Sequence, residues 1–361
     1  MARDLTELDA HEQPAPKLKA IWKAFSRTDQ DELLSGPEID DPRDSKQARN
    51  FCISGIIPSE NIARAWEHLG YESPVLPQDM PILYHPLVPG LLIVPNLIPS
   101  EAQKIIIDRV VHRDLNNADH KTNLHLHYNI PYPKSHTGSP TGEPKSFFHY
   151  SPNSETLFMP KDPAVHKPLS AKQVLNRRLS WVTLGGQFDW TNRIYPGTIP
   201  PEFPQDLGSF LHAMFPQTVA QAAIVNFYTP GDTMMMHRDV SEKTDRGLVS
   251  LSIGCDSLFM IAPNDVDWDN IDDSVNQDQE TNKKFLLLRI RSGDVVYMTE
   301  ESRYAWHGVP KVFRDSCPED LQDWPARKRG DDADDDSIDE FEEWRGWLRN
   351  KRININVRQM E

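Results

Sequence analysis

At 361 residues, with 38 % hydrophobic content, 9 tryptophans and 14 phenylalanines, the chain is long enough for one large domain with extensions, or for two, and can fill a real core. The formal charge of −15 argues at first against a polyanionic partner, yet 331–343 alone holds nine acidic and no basic residues, and removing it leaves −6, so local basic patches remain open. Cys52, Cys255 and Cys317 stand in no CxxC spacing, which excludes a disulfide framework or a cysteine-rich zinc site, and apolar runs such as 91-LLIV-94 fall far short of membrane-spanning length.

The N-terminus, MARDLTELDAHEQ, is too acidic for a signal or transit peptide; with the cysteine usage it points to a soluble protein of the nucleus or cytoplasm, mitochondrial import being left open. Residues 1–78 read as a polar extension with short helices. In APKLKAIWKAF, Leu18, Ile21, Trp22 and Phe25 keep helical spacing, a stripe that docks on the rest of the protein or recruits a partner. SENIARAWEHLGY (59–71) predicts a second helix with Ser59 as its N-cap. From 79 the texture changes: PGLLIVPNLIPSEAQKIIIDRVVHR predicts a strand, a turn and a helix opened by Ser100, with Gln103 completing a capping box. Residues 114–178, rich in Pro, Ser, His and Asn, predict long loops. LSWVTLGGQFDW, QAAIVNFYTPG, GLVSLSIGCDSLFMIA, FLLLRIRSGDVVYMTE and RININVRQM then predict strands. Before the last of them lies an acidic insert over 314–350, with a helix predicted in DEFEEWRGWLRN. Consecutive antiparallel strands after helices predict an α+β fold, a double-stranded β-helix (jelly-roll) core with an N-terminal helical layer; the core domain runs over 79–361, with a ligand mouth between its sheets.

In VNFYTPGDTMMMHRD, His237 and Asp239 stand two residues apart, and in an extended segment such a pair points to one side. His307, in SGDVVYMTEESRYAWHG, offers a third ligand. Two imidazoles and a carboxylate on one face of an octahedron are the ligand set of non-haem Fe(II) oxygenases, whereas zinc favours a closed tetrahedron. Taken alone, HxD also suits a solvent-facing turn. In 352-RININVR-358 the alternation is strict: Ile353, Ile355 and Val357 point one way, Arg352, Asn354, Asn356 and Arg358 the other. This is either an edge strand with a wet face or a strand that faces a ligand. Its two arginines would stand about 20 Å apart on an ideal strand and serve different ends of a ligand or different ligands. A guanidinium pairs two-for-two with a carboxylate, so a dicarboxylate that also binds iron, such as 2-oxoglutarate, fits. Asn226 and Tyr228 form another i, i+2 pair able to hydrogen-bond the same acid, although Tyr228 reads equally as core.

NFYTPGDTMMMHRD, LVSLSIG, SGDVVYMTEESRYAWHG and RININVRQM resemble, in order and spacing, the AlkB family of Fe(II)/2-oxoglutarate-dependent dioxygenases, over roughly 180–361 and more loosely back to about 88. RLSWVTLGGQFDWTNRIYP and the insert before the arginine strand are most similar to the first AlkB homologue of eukaryotes. The resemblance implies His237, Asp239 and His307 as iron ligands and Arg352 as partner of the distal carboxylate of 2-oxoglutarate. It places Arg358 near the metal-bound end, with Asn226, Tyr228 and Asn354 as further hydrogen-bond partners. It places a substrate lid at about 114–200, with Trp181, Phe188 and Trp190 as candidates for base stacking, and Ser241 where some relatives carry an acidic specificity residue. The implied activity is oxidative demethylation of N-methylated bases, adenine favoured, in tRNA or DNA, with O2 consumed and formaldehyde released; a methylated base must leave its stack to react.

Other features stay open. The pair 125-HLH-127 reads as a second metal site or as solvated loop histidines. Lys161, Lys167, Lys172, Arg177 and Arg178 read as phosphate contacts or a solvated face. Met234, Met235 and Met236 read as wall and core filling. Two rival functions stand beside the first. One is demethylation or hydroxylation of protein, such as a basic histone tail drawn to the acidic insert. The other is a non-catalytic nucleic-acid-binding module.

Overall fold

The computed structural model describes residues 8–133, 146–196, 199–268, 283–326 and 340–361. Strands β1 (Cys52–Ile57), β2 (Met80–Tyr84) and β3 (Leu91–Val94) precede a small sheet of β4 (Tyr128–Asn129), β5 (Leu157–Pro160) and β6 (Leu169–Ser170). After them come β7 (Trp181–Gly185), β8 (Ala222–Tyr228), β9 (Met234–His237), β10 (Leu248–Gly254), β11 (Ser257–Ala262), β12 (Leu286–Ile290), β13 (Val295–Met298), β14 (Trp306–Val312) and β15 (Arg352–Arg358). One antiparallel sheet runs β1-β2-β3-β13-β10-β15-β8-β7 and a second β12-β11-β14-β9. A single cavity takes its lining from both, an arrangement consistent with a jelly-roll core.

The alternation of side chains along β8 and β15 builds this cavity. Ala223, Val225, Phe227, Ile353, Ile355 and Val357 enter the main hydrophobic core. Ile224, Asn226, Tyr228, Arg352, Asn354, Asn356 and Arg358 line the cavity on the opposite face. β15 pairs with β10 on one side and β8 on the other, so it is central and its polar face is buried, not the wet face of an edge strand.

Helix α1 (Pro16–Arg27) starts on a proline, whose missing N–H is no loss at that position. Its Leu18 and Trp22 pack with Met236, Leu258, Met260 and Trp306 of the smaller sheet and with Phe313 just past β14, so the stripe docks internally. Helix α2 (Gln30–Ser35) is capped by the Asp29 carboxylate, 2.8 Å from the Asp31 N–H. Helices α3 (Ser59–Leu69), α4 (Ser100–Ile107) and α6 (Gln205–Met214) add Ile62, Leu69, Ile106, Phe210 and Leu211 to the main core, and α5 (Ala171–Gln173) is one turn capped by Ser170.

Several local expectations are corrected. Ser59 and Ser100 are the first helical residues; Pro58 and Pro99 hold the N-cap positions. The Ser59 N–H is instead met by Asp79 at 2.8 Å, and the Gln103 amide donates to the Ile98 carbonyl at 2.7 Å. Residues 114–178 are not only loops, since they contain β4, β5 and β6. The helix predicted near 340–350 is two short 3₁₀ turns, Glu342–Trp344 and Leu348–Asn350, separated by Gly346 at φ 83°. What fixes that segment is aromatic packing: Phe148 meets Trp324, Trp344 and Trp347 at centroid distances of 5.7, 5.2 and 5.1 Å. Positions 331–339 of the acidic run lie outside the described residues. The N-terminal stretch gives β1 to the larger sheet, and Asp40 bridges Leu288 of the smaller one.

Because Leu18 is fully buried against the smaller sheet, Leu18→Ala is expected to lower stability by roughly 2–5 kcal/mol in urea unfolding. A loss below about 0.5 kcal/mol, the range of surface substitutions, would show that α1 does not pack there.

Candidate metal centre

His237 closes β9 and His307 lies second in β14, and the two are register partners across that pair. Gly308 makes the approach possible: a Cβ there would stand 2.8 Å from the Met234 carbonyl oxygen. Asp239 follows two residues beyond the end of β9, so its place comes from the turn as well as from strand alternation. The two imidazole Nε2 atoms are 3.8 and 3.9 Å from the Asp239 oxygens, and one ligand atom from each of the three residues lies within 4.8 Å of the others. These gaps are too long for hydrogen bonds and leave room for an ion between the three groups.

Backbone carbonyls set the ring tautomers. His237 Nδ1 is 2.8 Å from the Met235 oxygen, and His307 Nδ1 is 2.9 Å from that of Ala305. A carbonyl only accepts, so each Nδ1 carries the proton and each Nε2 turns its lone pair toward the third residue. Burial pushes His307 down to about 4, helped by His237 and opposed by Asp239, so the ring is neutral. Burial works to raise the Asp239 carboxyl, but Arg358, His237 and His307 outweigh it and hold the group well below the usual carboxylate range.

Arg358 anchors that carboxylate from β15, with Nη2 2.9 Å from Asp239 Oδ2, Nη1 donating to the Tyr195 hydroxyl at 3.2 Å, and Nε 3.4 Å from Glu242. Glu242 is itself buried against Arg303, at 2.6 Å. Arg303 also donates to the Arg246 carbonyl at 3.1 Å and to the Asp239 carbonyl. Sequence reasoning did not reach Glu242, Arg303 or Tyr195. The only signal was an acid three residues past Asp239 and an arginine four before His307.

At the far end of β15, Arg352 is buried and donates to the Ser252 hydroxyl at 3.0 Å, with its guanidinium 5.3 Å from the centre of the Tyr228 ring. Its Nε and Nη1 are buried without a hydrogen-bond partner. Burial lowers the pKa of this arginine and raises that of Tyr228, whose rise Arg352 opposes. Arg352, a cation with two unmet N–H donors, lines a cavity of about 350 Å³ that also holds the triad, and this pairing fits the distal carboxylate of a dicarboxylate bound at the metal. Asn354 sits between the arginines and donates to Ser250 at 2.8 Å, with Asn226 opposite it across the β15–β8 pair.

Phe188, Trp190 and Ser241 line the same cavity. Trp181 does not, but it packs on Trp190 at 4.7 Å and 31°. The Ser241 hydroxyl donates to the Arg193 carbonyl at 2.8 Å and so pins the aromatic loop to the metal strand. Glu12, bonded to Arg238 at 2.6 Å, brings the N-terminal segment to the cavity wall. Lys172, Arg177 and Arg178 are exposed and outside the cavity, and His125 is held by Thr122 and Tyr132, not in a metal cluster. A larger depression of about 1180 Å³ shares Ser241 with the site but holds none of the triad.

Glu242 is the only acid that touches both Arg303 and Arg358 among the described ion pairs. Glu242→Gln is expected to cost roughly 3–5 kcal/mol, as for one broken partner of a buried pair. It should also weaken metal binding in an equilibrium titration; unchanged unfolding and unchanged metal affinity would contradict the network.

The model of the 2OG-Fe(II) oxygenase superfamily matches residues 143–358. The chain is 55 % identical to the N6-methyladenosine RNA demethylase ALKB1 of Pyricularia oryzae, over all of this chain and 99 % of that protein. It is 62 % identical to the N6-methyladenosine RNA demethylase ALKBH of Cryphonectria parasitica, over 66 % of this chain and 99 % of that one. It is 34 % identical to the tRNA demethylase abh1 of Schizosaccharomyces pombe, over 75 % and 79 % of the two chains. With the triad, the arginine strand and full-length similarity in agreement, the chain belongs to the AlkB family of the 2OG-Fe(II) oxygenases, whose cofactors are Fe(II) and 2-oxoglutarate.

Proposed function

We propose that the protein oxidatively demethylates N-methylated bases in nucleic acid, adenine first among them. The observation that carries this reading is the shared cavity of the triad and the unpartnered Arg352 donors, bordered by Phe188 and Trp190. The names of the relatives, demethylases of N6-methyladenosine in RNA and of tRNA, support the substrate class. In this reading residues 79–361 carry the oxygenase, and the N-terminal stretch serves as its helical layer.

Fe(II), 2-oxoglutarate and O2 supply the oxidising chemistry: an N-methyl C–H becomes a hydroxymethyl group that leaves as formaldehyde, while 2-oxoglutarate becomes succinate and CO2. His237, Asp239 and His307 would hold the metal on one face, leaving the other positions for cosubstrate and O2. Arg352 would grip the distal carboxylate, with Tyr228, Asn226 and Asn354 as hydrogen-bond partners. Arg358 keeps Asp239 ionised and aimed. Phe188 and Trp190, backed by Trp181, would stack on the base turned out of its strand, in a pocket their rings keep dry. Lys172, Arg177 and Arg178, exposed on the lid, would meet phosphates. The rival histone reading rests on the acidic insert, most of whose run lies outside the described residues.

The direct test incubates Fe(II)- and 2-oxoglutarate-loaded protein with N6-methyladenosine-containing RNA and with methylated histone peptides. Formaldehyde and mass loss are expected from the RNA; release from the peptides alone would overturn the reading. Asp239→Ala should abolish succinate formation with the fold intact, and turnover at the parent rate would remove Asp239 from the ligand set. Arg352→Leu should raise the KM for 2-oxoglutarate tenfold or more, about 1.4 kcal/mol per decade. Reversing the charge of Lys172, Arg177 and Arg178 should weaken RNA binding and flatten its salt dependence; an unchanged salt slope would remove them from the interface.

A further inference from the structure

The small sheet β4-β5-β6 has one face in the core and one in solvent. Phe158 and Leu169, register partners, are buried. Their neighbours Leu157 and Met159 are turned outward, 44 % and 48 % exposed, and Leu126 and Val165 on the adjoining loops are 54 % and 69 % exposed. Single exposed apolar residues need no explanation, but four on one small sheet and its loops do. Beside them lies a cluster of rings: His127 and His166 at 4.5 Å between centroids, and Tyr128 at 5.8 Å from His166. The Lys161 N–H donates to the His127 carbonyl at 2.8 Å, and its ammonium reaches the His125 carbonyl at 2.6 Å, so a cation is fixed at the edge of the rings.

The charge around these rings is predominantly positive. Between 155 and 178 stand Lys161, Lys167, Lys172, Arg177 and Arg178 against Glu155 and Asp162, in a chain whose net charge is −15. Asp162 is engaged in its own turn, accepting from the Ala164 N–H at 2.9 Å. The patch also adjoins the cavity. Asn123 donates to the Arg178 carbonyl at 2.8 Å and accepts from the Ser180 N–H at 2.9 Å, which fastens the segment leading to His127 beside β7. Trp181 of β7 packs on Trp190, which lines the cavity.

We infer that this face is a second docking surface, one that holds the single-stranded nucleic acid flanking the reacting base. Bases would lie on the rings of His127 and His166 and on the outward methionine and leucines, with Tyr128 backing His166 from the core side, and phosphates would meet Lys161 and Lys167. Flat π-faces with cations of one sign are what a single strand recognises without regard to sequence, whereas an apolar protein partner gains nothing from the lysines. The inference rests on the nucleic-acid reading of the cavity.

The test measures fluorescence anisotropy of the full chain with labelled single-stranded RNAs of about 20 and about 3 nucleotides, bracketing the usual site size of about 4–16. His127→Ala/His166→Ala is expected to raise the Kd for the long strand about tenfold, from the loss of stacking, and to leave the Kd for the short strand unchanged. Circular dichroism establishes that the variant is folded. Equal binding of the long strand by variant and parent, or an equal loss on both strands, would overturn the surface. So would sedimentation showing a dimer of the parent that Met159→Glu dissociates, since the face would then belong to a second copy. If the length-dependent loss is seen but no methylated strand releases formaldehyde, the demethylase reading fails while the docking surface stands.

Discussion

A guanidinium buried in the middle of a sheet with two of its N–H groups unmet is the constraint on which this structure turns. Arg352 is buried, because β15 is flanked by β10 and β8, and its side chain lines the cavity between the sheets. Within the protein, the Ser252 hydroxyl and the face of Tyr228 offset only part of its desolvation, and a buried ion left without a partner costs several kcal/mol. A carboxylate from outside would complete the set. An arginine held in this form would favour an anionic ligand.

Arg358, on the same face of the same strand, is more fully paired, with only its Nε lacking a hydrogen bond. Asp239, Glu242 and Tyr195 surround it, and Arg303 closes the network from beneath. One arginine is available to a ligand, and the other is spent on the metal-side carboxylate. Because both stand on β15, the register of the central sheet fixes their separation, and the pairing of β9 with β14 fixes where the imidazoles meet that line. Such a site is stiff by construction, being built on strands rather than loops. The parts of the wall outside the strands are the aromatic loop around Trp190 and the N-terminal segment around Glu12, each tied to the metal stretch through a polar contact.

Much of this was legible in the sequence because a strand repeats every two residues. RININVR and NFY announce a face without any knowledge of the fold, and His237 with Asp239 follows the same rule, although Asp239 lies past the end of its strand. Local reasoning failed where a partner distant in sequence decided the outcome. Ser59 looked like a cap until Asp79 supplied the acceptor, and Gln103 bonds a carbonyl in the turn before its helix. The segment near 344 carries a helical pattern, but its tryptophans are claimed by Phe148 and Trp324, and Gly346 breaks the turn. Glu242 and Arg303 were invisible for a related reason: a buried ion pair between residues 61 apart leaves no periodic trace. The polar N-terminal stretch, set apart by composition, supplies both a strand and a helix whose apolar stripe is small but fully used.

The central claim, that Arg352 and the His237–Asp239–His307 centre grip two ends of one dicarboxylate, is tested most directly by anaerobic calorimetric titration of 2-oxoglutarate into the full chain, with and without bound Mn(II) in place of iron. The metal is expected to tighten 2-oxoglutarate binding by tenfold or more, about 1.4 kcal/mol per decade. Much less tightening is expected for glutarate, which keeps both carboxylates but lacks the keto oxygen. An affinity for 2-oxoglutarate that does not change when the metal is withdrawn would contradict the claim, because the arginine and the triad would then belong to separate sites.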